Sequence, residues 1–168
     1  MKIYVVGPVA SGKTTLARRL SDTLGVSCFH LDEVVYEKVP GSKFGNRRRT
    51  DAERDSLFAE ILARESYIIE DTGRECFVEG MRQADAVILL DTPRCVRINR
   101  IVVRWIKQNL GLEPCAYRPN AKMLRMMFRW ASNYDNGSDG TKARAMQFGE
   151  KLSILRSRAQ IERYISKR

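Results

Sequence analysis

Apolar positions along the chain follow two alternating rhythms. Short runs rich in apolar and β-branched residues, over 2–6, 27–31, 67–70, 85–90 and 151–155, have the length of buried strands. Between them the apolar spacing changes to three and four. Leu16, Leu20 and Leu24 line one face of a helix over 13–24, which Gly25 closes. Thr50-Asp51-Ala52-Glu53 is a capping box, and it starts a helix to about residue 64 through Leu57, Ile61 and Leu62. A short helix is expected over 75–83. Pro93 suits the first position of a long helix ending near 109, before Gly111. Asn120 caps a helix over 121–134 whose stripe is Leu124, Met127, Phe128 and Ala131. A turn-rich break at 135–140 precedes a third helical piece, and a terminal helix covers 157–165. The segment 40–49, with two glycines and Arg47-Arg48-Arg49, reads as a mobile loop.

Strands alternating with helices predict an α/β protein, a five-stranded parallel sheet with helices on both faces. Its 168 residues make a single domain, 1–168, with 105–148 as a helical excursion. The longest unbroken apolar run has five residues, 86–90, too few to span a bilayer. The first run is too short for a signal peptide, so a soluble cytoplasmic protein without a membrane partner is expected. Four cysteines lie far apart beside a single histidine, which argues for reduced thiols and against a zinc site or disulfide framework.

Charge is unevenly placed. Residues 1–93 carry 13 Lys/Arg against 15 Asp/Glu, whereas 94–168 carry 17 against 5, a net of +12. A cationic half expects a polyanion, either the phosphates of a small molecule or nucleic acid.

The sharpest signal is Gly7-Pro8-Val9-Ala10-Ser11-Gly12-Lys13-Thr14, which fits GxxxxGK[ST] at every position and, with Thr15, makes the candidate nucleotide-binding stretch. Glycine lets the loop turn its amides toward a phosphate, and the following helix adds its positive end. In such a loop Lys13 neutralises the β and γ phosphates of ATP, and the Thr14 hydroxyl meets Mg²⁺.

Ligands of a parallel sheet collect beyond the carboxyl ends of the strands. Asp32, Glu70-Asp71 and Asp91 all fall there. Asp32 and Glu70 are candidates for Mg²⁺ and acceptor binding, and Asp32 is also placed to deprotonate a hydroxyl acceptor. Asp91, before Thr92-Pro93, reads first as a helix cap. A phosphate acceptor would need cationic clamps instead of a base, with Arg74 the nearest. Arg94, Arg97, Arg100 and Arg104 share one helical face, which favours a role opposite anions, and the excursion that follows has the size of a lid. Trp105, Tyr117, Phe128, Trp130 and Tyr134 interleave with Arg118, Lys122, Arg125 and Arg129; helical spacing makes most of these aromatics core. The same pattern also suits a nucleotide-dependent, nucleic-acid-binding regulator.

These residues resemble the P-loop kinase group that includes adenylate kinase and shikimate kinase. Arg100-Ile101-Val102-Val103-Arg104 is similar to the RxxxR that opens the lid in those enzymes, and Glu70 and Arg74 stand at the spacing of the Asp and Arg of the adenylate kinase DGxPR segment. His30-Leu31-Asp32, then Tyr67-Ile68-Ile69-Glu70, then Leu90-Asp91-Thr92-Pro93-Arg94 resemble the order in FlaR-like DNA topology modulation proteins. The resemblance implies a P-loop three-layer fold with a helical lid, use of Mg-ATP, catalytic roles for Lys13, Asp32, Arg100 and Arg104, and an acceptor held near Asp32, Glu70 and Arg74. The chain departs from the adenylate kinase pattern at Lys13-Thr14-Thr15, at Glu70 in place of Asp, and at Asp71-Thr72-Gly73.

Overall fold

The computed structural model describes residues 1–41, 45–115 and 117–167. Five parallel strands, β1 (Lys2–Val6), β2 (Cys28–His30), β5 (Tyr67–Asp71), β6 (Ala86–Leu90) and β7 (Leu152–Leu155), form one sheet in the order β2-β5-β1-β6-β7. β1 is central, and its register sets Val5 beside Glu70 and Val6 beside Asp71 and Leu89. The ends of β1, β5 and β6 therefore open one crevice where the winding reverses.

Alternation along the strands divides the core into two layers. Tyr4, Val6, Ile69, Val87 and Leu89 face α2 (Leu31–Val35), α3 (Asp51–Leu62), α4 (Val78–Gln83) and α7 (Thr141–Met146). Ile3, Val5, Ile68, Ile88 and Leu90 face α1 (Lys13–Leu24) and α8 (Arg158–Ile165). This is the three-layer arrangement the alternating pattern predicts. The Thr50–Glu53 capping box forms at the start of α3 as expected.

α5 (Arg94–Asn109) crosses the mouth of the crevice, and α6 (Ala121–Asp135) packs on it. Ile101, Met127 and Ala131 make a third apolar cluster, which Val9 and Ala10 of the loop after β1 join. Much of the excursion after residue 105 is thus packed against the phosphate loop and α5. Among the described residues, no helix is long and apolar enough to cross a membrane.

The segment expected as a loop differs. Tyr36–Lys38 (β3) and Asn46–Arg48 (β4) pair as an antiparallel ribbon, stapled across the strands by Glu37 and Arg47 at 2.5 Å. Three-residue strands of mostly charged, mostly exposed residues carry no apolar alternation, and the Glu37–Arg47 pair supports the backbone ladder in place of a buried face. Residues 42–44 of that loop lie outside the described residues.

Candidate active site

The loop between β1 and α1 is shaped by contacts that demand its sequence. A Cβ on Gly7 would stand 2.8 Å from the Leu90 carbonyl oxygen and 3.0 Å from Ser11 Oγ. Gly12, the N-cap of α1, has φ +99°, and Ala10 also adopts a left-handed conformation at φ +58°. The Ser11 carbonyl accepts hydrogen bonds from Thr92 Oγ1 at 3.0 Å and from Arg100 Nη1 at 2.8 Å, while Ala10's accepts one from Arg100 at 3.2 Å. The first amides of α1 have no acceptor within the helix, and they aim its positive end into the hollow. Thr15, the second residue after Lys13, is exposed.

Glu70 organises the floor of this hollow. Lys13 Nζ lies 3.5 Å from Glu70 Oε1, and Thr14 Oγ1 donates to Oε2 at 3.2 Å. His30 Nδ1 stands 2.9 Å from the same Oε2. Burial raises the affinity of Glu70 for a proton, but the His30 hydrogen bond and the Lys13 charge outweigh it and hold the carboxyl below its ordinary range. The reciprocal hydrogen bond raises the His30 imidazole above its usual value. Glu70 is thus an anion held by the side chains that the sequence assigns to phosphate and metal.

A second ion-pair group lies alongside. Arg74 bridges Asp32, which is exposed, and Asp71, which is buried, and the two carboxylates hold the guanidinium above its usual basicity against its burial. Asp71 also accepts from the amides of Gly73 and Arg74, both at 2.7 Å, so it builds the turn that carries Arg74.

Hard oxygen donors suit Mg²⁺, which keeps several waters and takes one or two carboxylates besides substrate phosphates. Thr14 and Glu70 lie side by side and fit that requirement. Asp32 is not brought to them: its contact is with Arg74.

The arginine face differs most from expectation. Arg97 is 1% exposed, donates to the Thr92 carbonyl at 2.9 Å, pairs with Asp135 and lies over the Tyr134 ring. Arg94 also reaches Asp135, at 3.7 Å, and Arg104 reaches Glu113 at 3.3 Å. Only Arg100 touches the phosphate loop, and it does so through carbonyl oxygens. The like charges coexist because each meets an acceptor within the chain, Arg94 and Arg97 sharing Asp135. Asp91 is not a helix cap either. It accepts from Tyr134 at 2.8 Å and pairs with Lys142 at 3.1 Å and Arg156 at 3.2 Å, while Pro93 takes the N-cap position without a side-chain bond. Of the interleaved aromatics, Tyr134 is buried and Trp130 is 45% exposed.

His30 and Thr92 are the site residues that sequence reasoning missed. His30 is the last residue of β2 and pairs in register with Glu70, a neighbourhood that appears only once β2 is known to border β5. Thr92 reaches the loop across 81 positions of chain, which no local pattern reports.

No family model and no curated protein sequence matches the chain. Solved structures do. A sugar kinase from Janibacter sp. HTCC2649 aligns with a TM-score of 0.57 at 20% identity, over 98% of this chain and 92% of the other. Shikimate kinase from Bacteroides thetaiotaomicron aligns at 0.57 and 20%, over 99% and 95%. Deoxyadenosine kinase from M. mycoides with bound dATP aligns at 0.58 and 16%, over 99% and 98%. At these identities the likeness establishes a shared fold with these three kinases, along nearly the whole chain.

Proposed function

We propose that this chain is a P-loop phosphotransferase that moves the γ-phosphoryl group of ATP to a small acceptor, a nucleoside, nucleotide or similar metabolite, in the cytoplasm. The observation that carries this reading is Glu70 held jointly by Lys13 and Thr14 beneath a loop that matches the phosphate-binding pattern throughout. A bound polyphosphate offers Lys13 the negative charge that Glu70 supplies here, and frees Glu70 for a hydrated cation. Mg²⁺, when bound, neutralises charge that develops on the transferred group. Lys13 and the backbone N–H groups of 7–15 other than Pro8 hold the phosphates, and Thr14 and Glu70 hold the ion; Asp32 is a further candidate once an acceptor has drawn Arg74 from it.

Arg74 binds the acceptor. An anionic group on the acceptor draws Arg74 from Asp32, which leaves that carboxylate to accept a hydroxyl proton as the phosphoryl group is attacked. Arg100 fixes the loop's outer carbonyls, and Arg104 acts from α5 at the start of the lid-like segment over 105–148, to which it is joined through Glu113. The order of motifs around His30, Tyr67 and Leu90, which resembles that of the FlaR-like proteins, supports this reading.

One observation favours a second reading, a nucleotide-dependent nucleic-acid-binding regulator. Arg118, Lys122, Arg125 and Arg129 are exposed without a partner among the described residues, next to Trp130. ADP release from Mg-ATP across a panel of nucleosides, nucleoside monophosphates and small hydroxy acids, with and without DNA, separates the two. Stimulation by one acceptor that Lys13→Ala abolishes supports the kinase, and stimulation by DNA alone supports the regulator. Unchanged ATP binding and turnover in Lys13→Ala would refute both.

A further inference from the structure

Glu70 has three side-chain partners, and they differ in what a nucleotide does to them. Lys13 faces Oε1 at 3.5 Å, whereas Thr14 Oγ1 and His30 Nδ1 meet Oε2 at 3.2 and 2.9 Å. Lys13 and Thr14 sit on the phosphate loop and its helix, so a polyphosphate and its cation make a second claim on their polar atoms. His30 sits on neither. It ends β2 in register with Glu70 on the adjacent strand, so the sheet ladder, not the loop, sets the distance between the two side chains.

His30 is also the N-cap of α2, with extended backbone angles, yet its side chain makes no capping bond. The ring reaches sideways to the carboxylate instead. Because an ionised carboxylate only accepts, Nδ1 carries the proton of this bond in either charge state of the ring.

We infer that His30 is a positioning residue, which holds Glu70 Oε2 while nucleotide is bound and keeps Oε1, the oxygen that Lys13 vacates, turned to a hydrated cation. The inference rests on the phosphotransferase reading. Partners that orient a metal-binding carboxylate are worth about 10- to 100-fold in metal affinity. The bond also dictates which side chains can replace His30. Asn offers an N–H at the same reach as Nδ1, Gln carries its N–H one bond further out, and Phe keeps a ring without a donor. An open depression of about 310 Å³ beside β2, lined by His30 with Phe29, Glu33 and Leu57 among others, leaves room for these substitutions.

The chain has a single histidine, so its two ring nitrogens give one assignable pair of ¹⁵N signals. The test combines those signals, for the native chain alone, with ATP and with Mg-ATP, with calorimetric ATP affinities measured in Mg²⁺ and in EDTA. Nδ1 is expected to stay protonated in all three states. His30→Phe and His30→Gln should keep the native urea midpoint and bind ATP in EDTA within about 2-fold of the native chain, while the ratio of affinity in Mg²⁺ to that in EDTA falls about 10-fold. His30→Asn should restore the native ratio. A packing role would move stability and metal-free binding instead, and would not distinguish one amide from the other.

An Nδ1 that loses its proton on loading with Mg-ATP overturns the inference. So does a ratio that Phe and Gln leave unchanged, or one that Asn fails to restore. A native chain that binds no ATP although Nδ1 remains protonated refutes the phosphotransferase reading itself, and the role of His30 falls with it.

Discussion

Thr92 Oγ1 donates a hydrogen bond of 3.0 Å to the Ser11 carbonyl, joining the end of β6 to the phosphate loop. Arg100 donates to the same oxygen, so both of its acceptor directions are taken and it faces away from the hollow where an anion would sit. A carbonyl that swung inward would repel phosphate. Thr92→Val is expected to weaken nucleotide binding about 3- to 10-fold, the loss of one net hydrogen bond's worth of loop order. Thr92→Ser should retain affinity, and isothermal titration with ATP checks both.

The same chain of contacts continues outward, since the Thr92 carbonyl accepts from Arg97, which pairs with Asp135 of α6. Arg97 is buried, so Asp135→Ala strands a charge. We expect it to destabilise by about 3 kcal/mol in denaturant unfolding, whereas Arg97→Met/Asp135→Ala should recover most of that loss. A double variant no more stable than Asp135→Ala would show that the loss comes from other contacts of Asp135 and Arg97 and not from the stranded charge.

Glu70→Gln preserves size and removes charge. His30 and Thr14 keep an oxygen to bond, while Lys13 loses its counter-ion. Metal-free ATP binding should be retained or tightened, since no carboxylate competes for Lys13. Mg-dependent turnover should fall about 10- to 100-fold if Glu70 holds the ion. Equal loss of binding with and without Mg²⁺ would reassign Glu70 to a purely structural role.

Gly73 has φ +92°, and a Cβ there would lie 2.5 Å from Thr141 Cγ2. Gly73→Ala therefore meets both backbone strain and a clash, about 3 kcal/mol together. Thr141→Ser removes the offending methyl and keeps the hydroxyl that donates to the Thr72 carbonyl at 3.0 Å. In a double-mutant cycle by urea unfolding, it should return about 1 kcal/mol to Gly73→Ala.

Sequence carried the fold and the loop but not the meaning of individual charges. Strand runs, the capping box and the Gly7–Thr14 pattern depend on neighbours in the chain, so β1, α1 and α3 were legible. Glu70 and Asp32 were placed at strand ends by the same logic. Which cation each would meet depended on sheet order: Glu70 met Lys13 and His30 across β1 and β2, while Asp32 met Arg74. Helical spacing correctly set Arg97 near Arg100, yet it could not tell a face that looks at ligand from one that looks at Asp135. The β3–β4 ribbon, supported by Glu37 and Arg47, left no apolar trace.

Asp91 predicts how stability responds to acid. Its burial favours the protonated form, but bonds from Tyr134, Lys142 and Arg156 outweigh this and hold the carboxyl below its usual value. A depressed folded-state value means that the carboxylate's contribution is fully present above the unfolded value, about 3.9, and is lost as pH falls through the folded one. Asp91→Asn still accepts from the Tyr134 hydroxyl, so it deletes only the attraction to two partly exposed cations, about 1 kcal/mol. The difference in unfolding free energy between the native chain and Asp91→Asn should therefore be flat from neutral pH down to about 4 and shrink below that. Unfolding curves at a series of pH values measure it directly. A gap that widens with acid would mean that Asp91 is protonated in the fold and donates to a neighbour, the reverse of the arrangement described.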